Sequence, residues 1–414
     1  MKKFYIFCAG CIRRGMDCIQ IKKYLEINGW AESSSPRKAN IIIVATCGVV
    51  NKNERNSLKA VERVMVRKRK DATVIITGCL SKINPGAIEK IGAFHYVPNG
   101  ELNRMDSLIK PQIQMKDVLY PDSIKDGGSI TNYLIARSFC RKSDFYKKLF
   151  DRYSMNNTFL KISVLCGKLI GEMKKLIRAK GNTRIKPYYN IKIADGCLNH
   201  CSFCATRFAT ETLRSRPQEE ILDDFNRGLE KGYEIFQLLS EDSGCYGLDI
   251  GSSITELLQK IFAKQGKYKI TLIDFGPRWL IEQKETLIPL LSKNQDRIKE
   301  LFLPFQSGSN KLLNRMKRGY RFEELVSVLK LLRKNAPNIT IRTSVLVGFP
   351  GESEEDFEAT TRVIQEIRFD EITINRYEDR PLTPSSKMDD KVPQEIIESR
   401  AQFLVKNMGC NLLS

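Results

Sequence analysis

Histidine is almost absent from this 414-residue chain, with His95 and His200 the two present. That scarcity argues against zinc sites built on imidazoles and against nucleophiles activated by histidine. Long apolar runs are missing too. "ANIIIVAT" and "ISVLCGKLIG" fall far short of the ~20 residues a spanning helix needs, and both read as core segments. The start "MKKFYIFCAG" is soon broken by "CIRRGMD", so it reads as a strand and not as an export signal. A cytoplasmic protein without membrane contact is expected. Acidic residues are outnumbered, 48 against 68 Lys and Arg, for a formal net charge of +20. Such a balance suits a polyanionic partner or an acidic peptide, although a solvated lysine-rich surface gives the same number.

Cysteine, by contrast, is plentiful: twelve residues, unevenly clustered. In a chain without an export signal, such clusters bind metal or do redox chemistry more often than they form disulfides. The thiolates must therefore carry the inorganic chemistry.

The first 102 residues alternate strand and helix patterns, with strands in "KFYIF", "ANIIIVAT" and "ATVIITG". This alternation predicts a small parallel α/β domain. Cys8 and Cys11, then Cys47, then Cys79 follow those strands, at the sheet edge where ligands gather in open α/β folds. Each alone would be an ordinary buried thiol. Residues 103–186 form a basic, helical linker or insertion, either packed on the body or serving as a substrate-binding element. Cys140 and Cys166 lie in it without metal spacing. From 187 to 395 six βα units predict a partial (β/α)6 barrel, with function at the carboxyl ends of its strands. A helical tail, 396–414, completes the chain.

After the first of those strands comes "DGCLNHCSFCATRF", which places Cys197, Cys201 and Cys204 in a CxxxCxxC spacing. Three thiolates are three of the four ligands a 4Fe–4S cubane needs, leaving one iron open to a small molecule. A closed zinc site would want a fourth ligand, and His200 is awkwardly set between the cysteines on a tight loop.

In this spacing and position the chain resembles the radical S-adenosylmethionine (SAM) enzymes. The resemblance implies that Cys197, Cys201 and Cys204 hold a 4Fe–4S cluster whose open iron chelates SAM. An external one-electron donor then drives SAM cleavage to a 5′-deoxyadenosyl radical. Phe203 takes the place of the aromatic set beside the adenine, with simple packing as the other reading. "AGCIRRGMDC", "VATCGVV" and "ITGCL" narrow the resemblance to the methylthiotransferase family. By motif, Cys11, Cys47 and Cys79 become ligands of an auxiliary 4Fe–4S cluster. Cys8 and Cys18 are bystanders, Cys8 being the first substitute.

"SEDSGCYGLDIG", "LPFQSGSNKLLNRMKRGY", "VLVGFPGESEEDF" and "NRYEDRPLTPSSKM" extend the resemblance over residues 3–80 and 190–390. It is strongest to the archaeal and eukaryotic branch that modifies threonylcarbamoyladenosine in tRNA. The implied reaction uses one SAM to methylate a sulfur held on the auxiliary cluster and a second to activate a substrate C–H bond. From their positions, Ser240, Glu241 and Asp242 are expected to accept from the SAM ammonium, Gln306 and Ser307 to face the same cavity, and Arg342 to pair with the SAM carboxylate. A turn or cap is the structural alternative for each.

Departures from the family pattern are Arg14 for Asn, Thr210-Glu211 for Arg-Gly, Ser344 for Asp, and no β-rich TRAM domain after Pro393. Three readings follow. The first is a methylthiotransferase for a tRNA adenosine, its sulfur donor unidentified. The second is methylthiolation of a peptide or protein side chain. The third is a non-catalytic iron–sulfur protein that binds RNA or senses redox state.

Overall fold

A computed structural model describes residues 1–121, 188–210, 212–367 and 369–412. Most of the basic insertion, with Cys140, Cys166 and Glu211, lies outside them. The chain divides into two compact units, Met1–Ile185 and Lys186–Ser414.

The first unit is built on β1 (Lys3–Cys8), β2 (Ala31–Glu32), β3 (Ile41–Thr46), β4 (Thr73–Gly78) and β5 (His95–Pro98). They pair in the order β2-β1-β3-β4-β5, all parallel. Every residue of β3, "IIIVAT", is buried, as a central parallel strand covered on both faces requires. Two helices, α1 (Ile12–Ile27) and α2 (Asn51–Arg67), make the first crossovers, and α2 turns Ser57, Ala60, Val61 and Val64 inward at helical spacing. Residues after Glu101 fold back onto α1. Asn28 Oδ1 accepts the backbone N–H groups of Gln112 and Ile113 at 2.9 and 3.0 Å, and the Gln20 amide donates to the Val118 carbonyl at 3.1 Å.

The second unit carries β6 (Tyr188–Lys192), β7 (Ala194–Asp195), β8 (Arg214–Ser215), β9 (Ile235–Leu239), β10 (Lys269–Leu272), β11 (Ile298–Gln306), β12 (Thr340–Val347), β13 (Glu371–Arg376) and β14 (Asn411–Leu412). Seven of these form one sheet in the order β14-β13-β12-β11-β10-β9-β6, every pair parallel. Strands adjacent in space and consecutive in sequence are what repeated βα units give. The six βα strands are those of the expected (β/α)6 sheet. The tail adds something the sequence pattern did not suggest. Its helix, Gln394–Met408, stops at Gly409 in the left-handed conformation, φ 62°, and the next residues join β13 as a seventh strand. Among the described residues no helix is long and apolar enough to cross a membrane.

Candidate functional site: two thiol triads on two sheet edges

In the first unit the carboxyl ends of β1, β3 and β4 lead directly to Cys11, Cys47 and Cys79. Cys11 is exposed at the N-cap position of α1 without a side-chain capping bond, while Cys47 and Cys79 are buried. The loops are fixed by backbone bonds. Cys79 N–H donates to the Thr46 carbonyl at 3.0 Å, and the Ser57 hydroxyl accepts from Cys47 N–H at 2.9 Å. Gly78 makes this closeness possible. Its φ is 94°, and a Cβ there would stand 2.2 Å from the Thr46 oxygen.

The three sulfurs share one field. Burial pushes the Cys79 thiol up to about 12, Arg14 pulls it down, Cys47 and Cys11 push it up, and an Asn99 amide donating at 3.2 Å lowers it again. Cys8 and Cys18 form a separate buried pair, hydrogen bonded to each other, in which Cys18 is held well above the usual thiol range first by Cys8 and then by burial.

In the second unit the loop after β7 carries Cys197, Cys201 and Cys204, flanked by the antiparallel pairing of β7 with β8. The loop is anchored to the "NRMKRGY" segment. Ser202 N–H donates to the Met316 carbonyl at 3.0 Å and its hydroxyl to the Arg315 carbonyl at 2.8 Å. Cys197 is lowered, first by a hydrogen bond from Cys245, with Asn199 adding its backbone and side-chain N–H groups at 3.3 Å each, while burial and Asp242 oppose. Cys204 is raised, by burial first and then by Cys201. The buried Arg318 guanidinium donates to the Cys201 sulfur at 3.1 Å and to the Pro304 carbonyl at 2.7 Å. Phe203 packs edge-on against Phe349, centroids 6.5 Å apart, in a cluster with Met316 and Tyr377.

The other expected SAM contacts divide. Ser240 is buried just past the end of β9, and Glu241 accepts from Gly196 N–H at 3.0 Å. Gln306 closes β11 with φ 73°, a left-handed conformation costly for a residue with a Cβ, and its Oε1 is buried without a hydrogen-bond partner. That orphaned oxygen at a strand's carboxyl end is the observation that best fits a polar ligand. Ser307 is occupied structurally, accepting from Ser309 N–H at 3.1 Å and meeting the Thr360 hydroxyl at 3.3 Å.

Asp242 is fully engaged by the protein. One oxygen accepts from Gly244 and Gly276 N–H at 3.0 and 2.8 Å, the other from the Trp279 indole at 2.7 Å and from the Asn199 amide. It organises the loop and has little capacity left for an ammonium group. Arg342 is not brought to this edge. It stands third in β12, toward the amino end, with its guanidinium held by Glu300 at 3.3 Å and Glu371 at 2.8 Å. It was expected to pair with the SAM carboxylate, but strand alternation and two flanking carboxylates hold it in an ion pair on the sheet.

Sequence reasoning passed over Cys245, Asn99 and Arg318. The first and last sit inside motifs already quoted, and only burial beside a sulfur distinguishes them. Asn99 carries no local signal. Neither triad is drawn together on one ion. Among the described residues the His, Cys, Asp and Glu group with ligand atoms all within 4.8 Å is Cys197, Asp242 and Cys245. With the Asp242 oxygens engaged, that group offers two thiols only. Spaced thiolates with donors aimed at them suit a cluster, whose irons take one sulfur each, better than a single cation.

Residues 191–364 match the Radical SAM superfamily, and residues 3–97 match Uncharacterized protein family UPF0004. The fold is similar to that of the radical SAM methyltransferase TsrM from Kitasatospora setae, with a TM-score of 0.59 at 13% identity over 93% of this chain and 77% of that one. Residues 191–364 are thus similar to the radical SAM enzymes, a class that uses SAM and a 4Fe–4S cluster.

It is also similar to a probable threonylcarbamoyladenosine tRNA methylthiotransferase of Pyrococcus horikoshii, 29% identical over 98% of this chain and 83% of the relative. A ribosomal protein uS12 methylthiotransferase RimO of Carboxydothermus hydrogenoformans is 27% identical over 98% and 82%. The threonylcarbamoyladenosine tRNA methylthiotransferase MtaB of Thermotoga maritima is 33% identical over 55% and 52%. Over nearly its whole length the chain is thus similar to methylthiotransferases, some named for a tRNA and some for a ribosomal protein.

Proposed function

We propose that this protein is a cytoplasmic methylthiotransferase for a tRNA adenosine of the threonylcarbamoyl type, working with two 4Fe–4S clusters and SAM. Cys197, Cys201 and Cys204 hold the SAM-binding cluster; Cys11, Cys47 and Cys79 hold the auxiliary one. The observation that carries the reading is the pair of separate thiol triads, each at the carboxyl edge of its own parallel sheet. When bound, the clusters and SAM supply the electron transfer, the hydrogen abstraction and the sulfur delivery.

The chain's own residues bind, orient and exclude water. Arg318 and Asn199 hold the sulfurs of the second triad, and Asp242 braces the loop beside them. Gln306 offers its unpartnered oxygen to SAM, and Phe203, Ser240, Glu241 and Ser307 are the other SAM contacts proposed. Polyanion binding is supported by the insertion, where residues 122–187 carry fifteen Lys and Arg against five Asp and Glu.

The test compares tRNA nucleosides by mass spectrometry from cells with and without the gene. Loss of a methylthiolated adenosine is expected on deletion, and an unchanged profile removes the tRNA substrate. The near-full-length similarity to a uS12 methylthiotransferase favours a second reading, a protein side chain as acceptor. Intact masses of ribosomal proteins from the same two strains decide it.

A further inference from the structure

We propose that Arg318 is a positioning residue of the loop triad: a buried cation that serves as counter-charge to the Cys201 sulfur and raises the reduction potential of the 4Fe–4S cluster held by Cys197, Cys201 and Cys204. The inference rests on the cluster reading given above. Arg318 is 8% exposed, and its guanidinium donates to the Cys201 sulfur at 3.1 Å and to the Pro304 carbonyl at 2.7 Å. A buried charge is stable only where an opposite charge or a full set of hydrogen bonds replaces water. Arg14 and Arg400, just as buried, each have a carboxylate at 2.8 Å. Among the described residues Arg318 is paired with no carboxylate. Its Nε is also buried without a hydrogen-bond partner. The sulfur therefore stands where the other two arginines have an acid, and one donor is left over. An anionic cluster on the triad supplies the missing negative charge and further acceptors.

The chain builds this placement locally. Lys317 and Gly319, on either side of Arg318, both adopt left-handed backbone, with φ 56° and 73°. The turn is held by Lys317 N–H donating to the Asn314 carbonyl and Arg318 N–H to the Leu313 carbonyl, at 2.9 Å each. The Tyr320 ring lies 5.8 Å from the guanidinium carbon, and its hydroxyl donates to the Phe305 carbonyl at 2.7 Å. Arg315 and Met316, just before this turn, accept the two bonds from Ser202, the neighbour of Cys201. One short segment thus fixes the cysteine loop's backbone through carbonyls and one of its sulfurs through a cation.

A cluster on three thiolates gains a negative charge on reduction. A fixed cation 3.1 Å from one of the ligand sulfurs stabilises the reduced form more than the oxidised one, and burial keeps that effect strong. Asn199 donates to Cys197 at 3.3 Å, but through neutral N–H groups. Charge, and not the hydrogen bond alone, is what sets Arg318 apart.

The experiment uses the full-length chain carrying Cys11→Ala, Cys47→Ala and Cys79→Ala, which leaves the loop triad as the cluster holder. After anaerobic reconstitution, iron and sulfide are counted, and the midpoint potential of the loaded fraction is read by EPR-monitored titration. Arg318→Gln, which keeps N–H donors without the charge, should lower the potential, and Arg318→Lys should hold it near the parent value. A merely structural role would treat the two alike, because both lose the bridge from Cys201 to Pro304. If Arg318→Gln takes up no cluster, Arg318→Lys decides: a parent-like potential supports the role and a lowered one overturns it. An unchanged potential in loaded Arg318→Gln, or an equal drop in both variants, overturns it too. So does folded protein of both variants that holds no iron, since the arginine would then hold the cluster and not tune it. Failure of the parent triple variant to bind iron overturns the cluster reading itself, and the inference with it.

Discussion

The two thiol triads are made from the same ingredients by opposite routes. In the second unit three cysteines lie on one loop within eight residues, from Cys197 to Cys204. In the first unit they come from three strand ends, Cys11, Cys47 and Cys79, and are gathered only because β1, β3 and β4 are parallel neighbours. The loop triad needs its loop tied down, which Ser202 does through the Met316 and Arg315 carbonyls. The strand triad needs its sheet to stay in register. Each unit has a buried arginine, but Arg318 donates straight to the Cys201 sulfur, whereas Arg14 pairs with the Asp17 carboxylate. A local motif is robust to distant change; a topological one is only as good as the sheet.

The largest expected effect breaks this symmetry outright. Cys197→Ala, Cys201→Ala or Cys204→Ala should abolish 5′-deoxyadenosine formation from SAM under dithionite. Cys11→Ala, Cys47→Ala or Cys79→Ala should instead lower bound iron by about half and leave SAM cleavage in place. Should one of the second set abolish cleavage in a folded protein, the division of labour between the two edges is wrong. Next in size is Gly78→Ala. With φ at 94° and a Thr46 oxygen 2.2 Å from the new Cβ, the variant should lose about 3 kcal/mol or more of stability. Chemical unfolding checks the loss, and iron counting should show the auxiliary site emptied while the loop triad keeps its share.

This contrast also explains what the sequence revealed. CxxxCxxC is legible because its geometry is local, and the parallel sheets were legible because buried strands such as "ANIIIVAT" are continuous apolar runs. The first triad was readable once strand ends were aligned, and the family resemblance chose Cys11 over Cys8. Side-chain roles fared differently. Arg342 and Asp242 look alike as polar residues near strand ends, yet one is turned to Glu300 and Glu371 and the other is enclosed by four donors. Which way a polar side chain turns depends on partners tens of residues away, and no short motif records them. The seventh strand, β14, was hidden for the same reason: two residues have no periodicity to read.

A smaller effect sharpens the comparison of the arginines. Arg318→Met keeps the bulk of the side chain but removes the donors to Cys201 and the Pro304 carbonyl. The cost should be about 2 kcal/mol, from one charge-assisted bond and one carbonyl left unmet. Denaturant unfolding measures it. Iron bound at the loop triad should fall, while iron at the strand triad is retained. Iron fully retained at the loop triad in folded protein would mean that the direct contact matters less than the anchoring of the loop through Ser202.

The smallest effect concerns a second buried ion pair, which joins a helix to a loop, where Arg14 and Asp17 lie one turn apart on the same helix. Arg400, on helix Gln394–Met408, meets Glu352 at 2.8 Å, and Glu352 also accepts from Gly348 N–H at 2.7 Å. Burial pushes the Glu352 carboxyl up to about 7 even though Gly348 and Arg400 pull it down. The unfolded chain gives up this proton near pH 4.3, the usual value for glutamate. Between those limits the native state binds the extra proton, so stability falls as pH rises from about 4.5 through 7. This contribution is fully present below the unfolded value and lost above the folded one. Glu352→Gln, neutral at every pH, should flatten that part of the profile in unfolding midpoints taken from pH 5 to 8. A variant whose midpoint changes with pH as steeply as the parent's would show that Arg400 keeps Glu352 ionised throughout that range.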